Sequence, residues 1–232
     1  MNNMDRYSEV INKNQREIVL LKAFPCKWGK CSFCDYILDN SKDEEEINKL
    51  NFEVLENVTG KYKVLEVINS GSCFEIPKDT LFKIKEIIKE KKIERLFLES
   101  HWIYKNKIQQ MRDFFEIPIT FKIGVETFDN DFRNGYLNKN AKFETVEELK
   151  KYFDSPCIMV GIKGQTKEMI DKDMEIVQKY FEHATINVFI NNSSKVKRDE
   201  KLVAWFSKKY KFLIDDPKIE ILFNNTDFGV GD

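Results

Sequence analysis

Short, nearly continuous apolar runs alternate along the chain with longer segments of helical period. The apolar runs cover residues 16–24, 64–69, 95–98, 121–126, 157–162 and 185–190. Continuous hydrophobicity over a strand's length marks a strand buried on both faces, as in a parallel sheet. Helical periodicity fills residues 43–55, 77–91, 107–115, 145–153, 166–181 and 198–210. The clearest helix opens at Pro77, carries Leu81, Ile84, Ile87 and Ile88 on one stripe, and ends in lysines, as start and stop signals require. Residues 219–223 predict one further short strand. Repeated strand–helix units predict an α/β fold with a parallel sheet covered by helices. The period alone fits an open doubly wound sheet and a partial (βα)6 barrel equally well. In both, loops at the C-terminal strand ends carry the chemistry, and there the sequence places Cys26, Ser70, Glu99, Glu126, Gly164 and Asn191.

Composition narrows the class. With 232 residues, 42% of them hydrophobic, the chain can bury one sizeable core. No Pro/Gly-rich linker interrupts it, so a single domain over residues 1–232 is expected, with its core over 15–212 and a C-terminal extension over 213–232. No apolar run approaches the length of a membrane span, and the N-terminal residues show no signal or transit pattern. A cytoplasmic protein without a membrane partner is expected. The formal net charge of −1 argues against a large non-specific nucleic-acid footprint, though not against a small nucleobase ligand.

The cysteines change the picture. Three of the five fall within the stretch Cys26-Lys-Trp-Gly-Lys-Cys31-Ser-Phe-Cys34. Thiols concentrated in this way point to metal binding or redox work. Three thiolates can hold a four-iron cluster and leave one iron open to another ligand. Zinc is the competing reading, and it would need a fourth ligand from Cys73, Cys157, His101 or His183. A disulfide framework fits poorly with an odd number of cysteines.

The spacing C-x4-C-x2-C, with Phe33 inside the last pair, resembles the signature of the radical S-adenosylmethionine (SAM) superfamily, with one residue added to the usual first gap around Gly29. That resemblance chooses the partial (βα)6 TIM barrel of the radical SAM type over the open sheet. It implies a [4Fe–4S] cluster on Cys26, Cys31 and Cys34, SAM as the second cofactor, and a 5′-deoxyadenosyl radical made by reductive SAM cleavage. Ser70-Gly71-Ser72 stands where these families bind the SAM amino group, although a plain strand-to-helix turn reads the same way. The stretch Ile123-Gly-Val-Glu-Thr-Phe-Asp129 is similar to the fourth-strand motif, which implies that Glu126 accepts the ribose hydroxyls and that Lys139 or Arg133 pairs with the SAM carboxylate. Val160-Gly-Ile-Lys-Gly164 looks like the fifth-strand glycine motif, with Gly161 and Ile162 against the adenine; close strand–helix packing is its plainer account.

Residues outside these motifs are left for the substrate. His101, Trp102 and Tyr104 follow the third strand, Asn191 and Asn192 follow the sixth, and Asp227 and Phe228 lie in the tail. Glu99, His101 and Asp227 are the candidate catalytic groups, His101 having a structural hydrogen-bonding role as its alternative. The small size, the long first cysteine gap, residues 198–206 and the ending Asn-Thr-Asp-Phe-Gly-Val-Gly resemble the queuine lyase family. That likeness implies a deazapurine substrate, queuine, cleaved to 7-aminomethyl-7-deazaguanine, and a flavodoxin or ferredoxin as electron donor. Buried ring N–H donors of such a substrate call for a carboxylate, Asp227 or Glu99, and an aromatic neighbour, Trp102 or Phe228.

Overall fold

The computed structural model describes residues 5–224. Eight strands and six α-helices form among the described residues, divided between two compact units of residues 5–29 with 36–121, and of 30–35 with 122–224.

In the first unit, β1 (Tyr7–Val10) runs antiparallel to β2 (Arg16–Leu21), with Tyr7 opposite Val19. β2 then pairs in parallel with β3 (Val64–Asn69), and β3 with β4 (Arg95–Glu99). Helices α1 (Glu44–Leu55) and α2 (Lys78–Lys91) make the crossovers, and α3 (Ile108–Phe115) follows β4. Asp43 caps α1, accepting the N–H groups of Glu45 and Glu46 at 3.1 Å, which starts that helix cleanly. β5 (Ile119–Glu126) begins here and ends in the second unit.

The second unit repeats the plan. β5 pairs with β6 (Ser155–Val160), β6 with β7 (Ala184–Val188) and β7 with β8 (Ile219–Leu222), all in parallel. Helices α4 (Val146–Lys150), α5 (Lys167–Tyr180) and α6 (Glu200–Lys209) lie between them in the chain. Within each unit every strand's neighbour is the next strand in sequence. A doubly wound sheet reverses its order at a switch point, so this progressive order removes that alternative within each unit. No helix among the described residues is long and apolar enough to cross a membrane.

The periodicity located all the parallel strands, and it missed β1. Tyr-Ser-Glu-Val is short and half-buried throughout, and it becomes a strand only because the edge of β2 offers it hydrogen bonds. The fifth predicted strand lies two residues earlier than expected, at Ser155–Val160, because Gly161 turns the chain at φ +89°. The helix expected over 145–153 shrinks to Val146–Lys150.

The strand beginnings bury charge. Arg16 and Glu66 form an ion pair at 2.5 Å with both side chains almost wholly enclosed, and the guanidinium lies 5.3 Å from the Phe97 ring centre. Beside it Glu17, fully buried, accepts from Tyr7 Oη at 2.9 Å, Thr59 N at 2.7 Å and Gly60 N at 2.8 Å. Deleting one member of a buried pair strands the other charge, at a cost of about 3–5 kcal/mol. Arg16→Met should therefore lower the unfolding free energy in urea by about that amount, and adding Glu66→Leu should restore part of it. A loss below about 1 kcal/mol would show that the pair is solvated.

Candidate active site

In the first unit, Pro25 ends the extended run after β2 and the cysteine loop begins. Cys26 N donates to Asn40 Oδ1 at 3.2 Å, and Asn40 Nδ2 donates to Ser70 O at 3.1 Å and Ser70 Oγ at 2.6 Å. Asn40 thus ties the first cysteine to the serine loop after β3. Glu75 makes a second tie. Its carboxylate accepts Lys27 N at 2.8 Å, Ser72 N at 2.5 Å and Tyr104 Oη at 3.1 Å, and its carbonyl accepts Phe24 N at 3.0 Å. Burial pushes the Glu75 carboxyl above its ordinary pKa, against the lowering effect of these hydrogen bonds. Gly71 makes room for it, since a Cβ there would stand 2.2 Å from Glu75 Oε2 and 3.5 Å from Cys26 Cβ.

The third-strand residues join this network. His101 N donates to Ser72 Oγ at 2.8 Å, and Ile103 N donates to His101 Nδ1 at 3.2 Å. His101 thereby caps the short 3-10 turn Trp102–Lys107, and its ring stacks on Trp28 of the cysteine loop with centroids 6.5 Å apart. Trp102 is buried, and Tyr104 stacks on Phe74 at 4.9 Å. Glu99 ends β4 half-buried. The structure therefore brings together Cys26, Ser70, Gly71, Ser72, His101 and Tyr104, through two residues, Asn40 and Glu75, that the sequence reading passed over.

The second unit holds the rest of the loop. Ser32 N donates to Leu137 O at 2.9 Å, and Asn138 Nδ2 to Lys30 O at 2.7 Å. Asn192 Nδ2 donates to Phe33 O at 2.8 Å and to Asp35 Oδ1 at 3.1 Å, while Ser193 N and Oγ both reach Asp35 Oδ2 at 3.0 Å. Asn192 thus supports the loop carrying Cys31 and Cys34. Asn191 Oδ1 accepts Arg198 N at 2.9 Å.

Glu126 and Lys139, both expected at SAM, are here each other's partners at 2.6 Å. Glu126 sits at φ +67° at a break in the β5–β6 register, and such a bulge re-aims a side chain. Gly124 leaves the space, for a Cβ would lie 2.4 Å from Glu126 Oε1 and 2.5 Å from Lys139 Nζ. Lys139 Nζ also stands 5.5 Å from the centre of the Phe33 ring.

Arg133 takes a different course. Its guanidinium donates to Ala141 O and Thr127 O at 2.9 Å and to Phe143 O at 3.2 Å, and it lies 3.9 Å from the Phe143 ring centre. Burial lowers its pKa to about 10. A cation used in this way braces residues 127–143, so of the two cations named for the SAM carboxylate the geometry favours Lys139. Gly161 gives backbone room to α6, where a Cβ would meet Val203 Cγ2 at 2.3 Å. Its N–H donates to Gln165 Oε1 at 3.0 Å. Ile162 is fully buried against Phe132, Leu137 and Phe189. Asp227 and Phe228 lie outside the described residues.

Among the described residues, no three His, Cys, Asp or Glu side chains stand gathered as a preformed metal cage. The donor set itself suits a cluster. Cys26, Cys31 and Cys34 are half-buried thiols and none is in a disulfide. Gly29 takes the turn of the lengthened first gap at φ +55° and directs its N–H to Cys26 Sγ at 3.4 Å, a bond of the kind that tunes cluster thiolates. Cys73 and Cys157 are buried, and burial pushes the Cys73 thiol far above the thiolate range.

The model of the radical SAM superfamily matches residues 26–177, more than half of the chain and starting at the first cysteine of the triad. The chain belongs to the radical SAM superfamily. Its cofactors are accordingly a [4Fe–4S] cluster and SAM. A solved structure of queuine lyase from Clostridium spiroforme, bound to SAM and queuine, is 56% identical, with 99% of this chain and 100% of that chain covered and a TM-score of 0.96. A radical SAM methyltransferase from Sphaerobacter thermophilus shares the fold at 11% identity, with 89% of this chain and 65% of that chain covered and a TM-score of 0.58. The uncharacterised protein MJ0550 of Methanocaldococcus jannaschii is 25% identical over 167 residues, 63% of this chain. The chain spans 44% of that relative's length.

Membership sets two expectations for this radical SAM chain. Cys26→Ala, Cys31→Ala and Cys34→Ala should each lose the iron and the visible absorbance after anaerobic reconstitution, while Cys73→Ala and Cys157→Ala keep both. Full iron content without Cys31 would remove it from the cluster. Glu126→Ala should weaken SAM binding by about 1.5–3 kcal/mol, the range for a hydrogen bond to a charged group. Unchanged SAM affinity in equilibrium titration would take Glu126 out of the site.

Proposed function

We propose that the chain is a queuine lyase, cleaving queuine to 7-aminomethyl-7-deazaguanine in queuine salvage. The carrying observation is the 56% identity over 99% of the chain to an enzyme bound to SAM and queuine. When bound, the cluster and SAM supply the radical that abstracts hydrogen from the substrate. The chain's own residues then bind, orient and exclude water.

In this reading Cys26, Cys31 and Cys34 hold the cluster. The main chain at Ser70, Gly71 and Ser72 takes the SAM amino group, Glu126 the ribose and Lys139 the carboxylate. Gly161 and Ile162 keep the backbone level beneath the adenine. Trp102 and Tyr104 face the substrate with Glu99. His101 acts as a turn cap and as a stacking partner of Trp28, which suits a positioning role better than proton transfer. Asn191 and Asn192 support the loops that border the substrate. Asp227 accepts the paired ring N–H donors of the deazaguanine beside Phe228, because a carboxylate can take two such donors side by side. A flavodoxin or ferredoxin in the cytoplasm supplies the electron, and the near-neutral charge favours a free small molecule over tRNA.

The reconstituted enzyme, reduced in the presence of SAM and queuine, should yield 5′-deoxyadenosine and 7-aminomethyl-7-deazaguanine. Deoxyadenosine that forms at the same rate with and without queuine would overturn the substrate. Asp227→Asn should keep iron content and SAM binding and lose queuine-stimulated turnover. Full stimulation in that variant would move the reading of the ring edge to Glu99.

A further inference from the structure

β7 carries two polar side chains that its own fold does not use. Thr185 Oγ1 and Asn187 Oδ1 are both buried and meet no hydrogen-bond partner among the described residues. They stand two residues apart, hence on one face of the strand. In register, Thr185 lies beside Cys157, which lies beside Gly124, and Asn187 lies beside Met159. Paired residues of parallel strands share a face, so Thr185 and Asn187 share that of Gly124, where the Glu126–Lys139 ion pair rests. The opposite face, with Ile158, Val160, Ile186 and Val188, is wholly apolar and buried. Native chains seldom leave buried oxygens without donors, and two on one strand ask for a group that supplies them. The asparagines that follow the same strand cannot serve as readily. Asn192 holds Phe33 and Asp35, and Asn191 holds Arg198.

We propose that Thr185 and Asn187 form a substrate-reading pair, accepting hydrogen bonds from N–H or O–H donors of a donor-rich small molecule lying on this face of the second unit's sheet. The assignment rests on the queuine lyase reading for the identity of that molecule, whose ring N–H groups, amine and hydroxyls are donors of the required kind.

The test uses the reconstituted full chain with SAM and queuine. Asn187→Leu should raise KM for queuine about tenfold, and Thr185→Val, which removes one hydroxyl at nearly constant shape, should raise it severalfold. Both should keep the parent's affinity for SAM. Without queuine each variant should melt at or above the parent temperature, since an unsatisfied buried oxygen has been removed. The rise in melting temperature that queuine gives the parent should shrink in both. If the parent cleaves queuine and both variants match its KM and its queuine-induced shift, the oxygens meet only water and the assignment falls alone. If the parent neither binds nor cleaves queuine, the lyase reading falls and takes this assignment with it. Should Asn187→Leu fail to fold, Thr185→Val decides the outcome by itself.

Discussion

The first unit's chemistry depends on one buried carboxylate. Glu75 collects donors from the cysteine loop, from the serine loop and from the turn after β4. The cysteine loop and the serine loop are irregular where they meet the carboxylate, and the third segment meets it from the short 3-10 turn Trp102–Lys107. A buried carboxylate with three donors is satisfied; with one donor removed it would be costly, because its charge has left water. The constraint therefore works in both directions. Burial raises the Glu75 pKa and the loops' donors lower it in part, and Glu75 holds Lys27, Ser72 and Tyr104 in a common frame. Asn40 adds a neutral brace between Cys26 and Ser70. Cys26, proposed as a cluster ligand, and the stretch proposed for the SAM amino group thus share their supports.

The second unit solves a similar problem with amides. Asn138 and Asn192 donate to main-chain carbonyls of Lys30 and Phe33, while Asp35 gathers Ser193. Carbonyl acceptors suit amide donors, and main-chain N–H donors suit a carboxylate. The choice of Glu75 near Cys26 and of asparagines near Phe33 follows from which backbone group each loop presents.

Much of this could be read from the chain, and the unread part has a physical reason. Continuous apolar runs located the parallel strands, because burial on both faces favours apolar side chains along most of each strand. The three cysteines announced themselves by spacing, and Glu126 by being a carboxylate at the end of an apolar strand. Asn40 and Glu75 gave no such signal. Each sits in a stretch that looks like an ordinary turn, and apart from Ser72 their partners are 14 to 48 residues away. β1 was invisible because edge pairing, not its own composition, makes it a strand. Arg133 looked like a ligand-binding cation from its place in a motif, yet carbonyls of residues 127, 141 and 143 use it. Side-chain type says what a group can bind; only the fold says whether the chain has already bound it.

Two glycines show the same point from the opposite side. Gly71 and Gly124 each occupy a position where a methyl group would collide with a carboxylate oxygen, Glu75 Oε2 at 2.2 Å and Glu126 Oε1 at 2.4 Å. Neither glycine has a positive φ, so backbone freedom is not the reason for either. What both supply is an absent side chain, which lets an acidic group lie against the main chain. In sequence the first motif reads as a plain strand-to-helix turn and the second as the end of an apolar strand. In the fold they are seats for the two carboxylates on which each unit's share of the site is arranged. The glycines in these stretches thus have a steric use beside the acids: a Cβ at either position would make the neighbouring carboxylate give way.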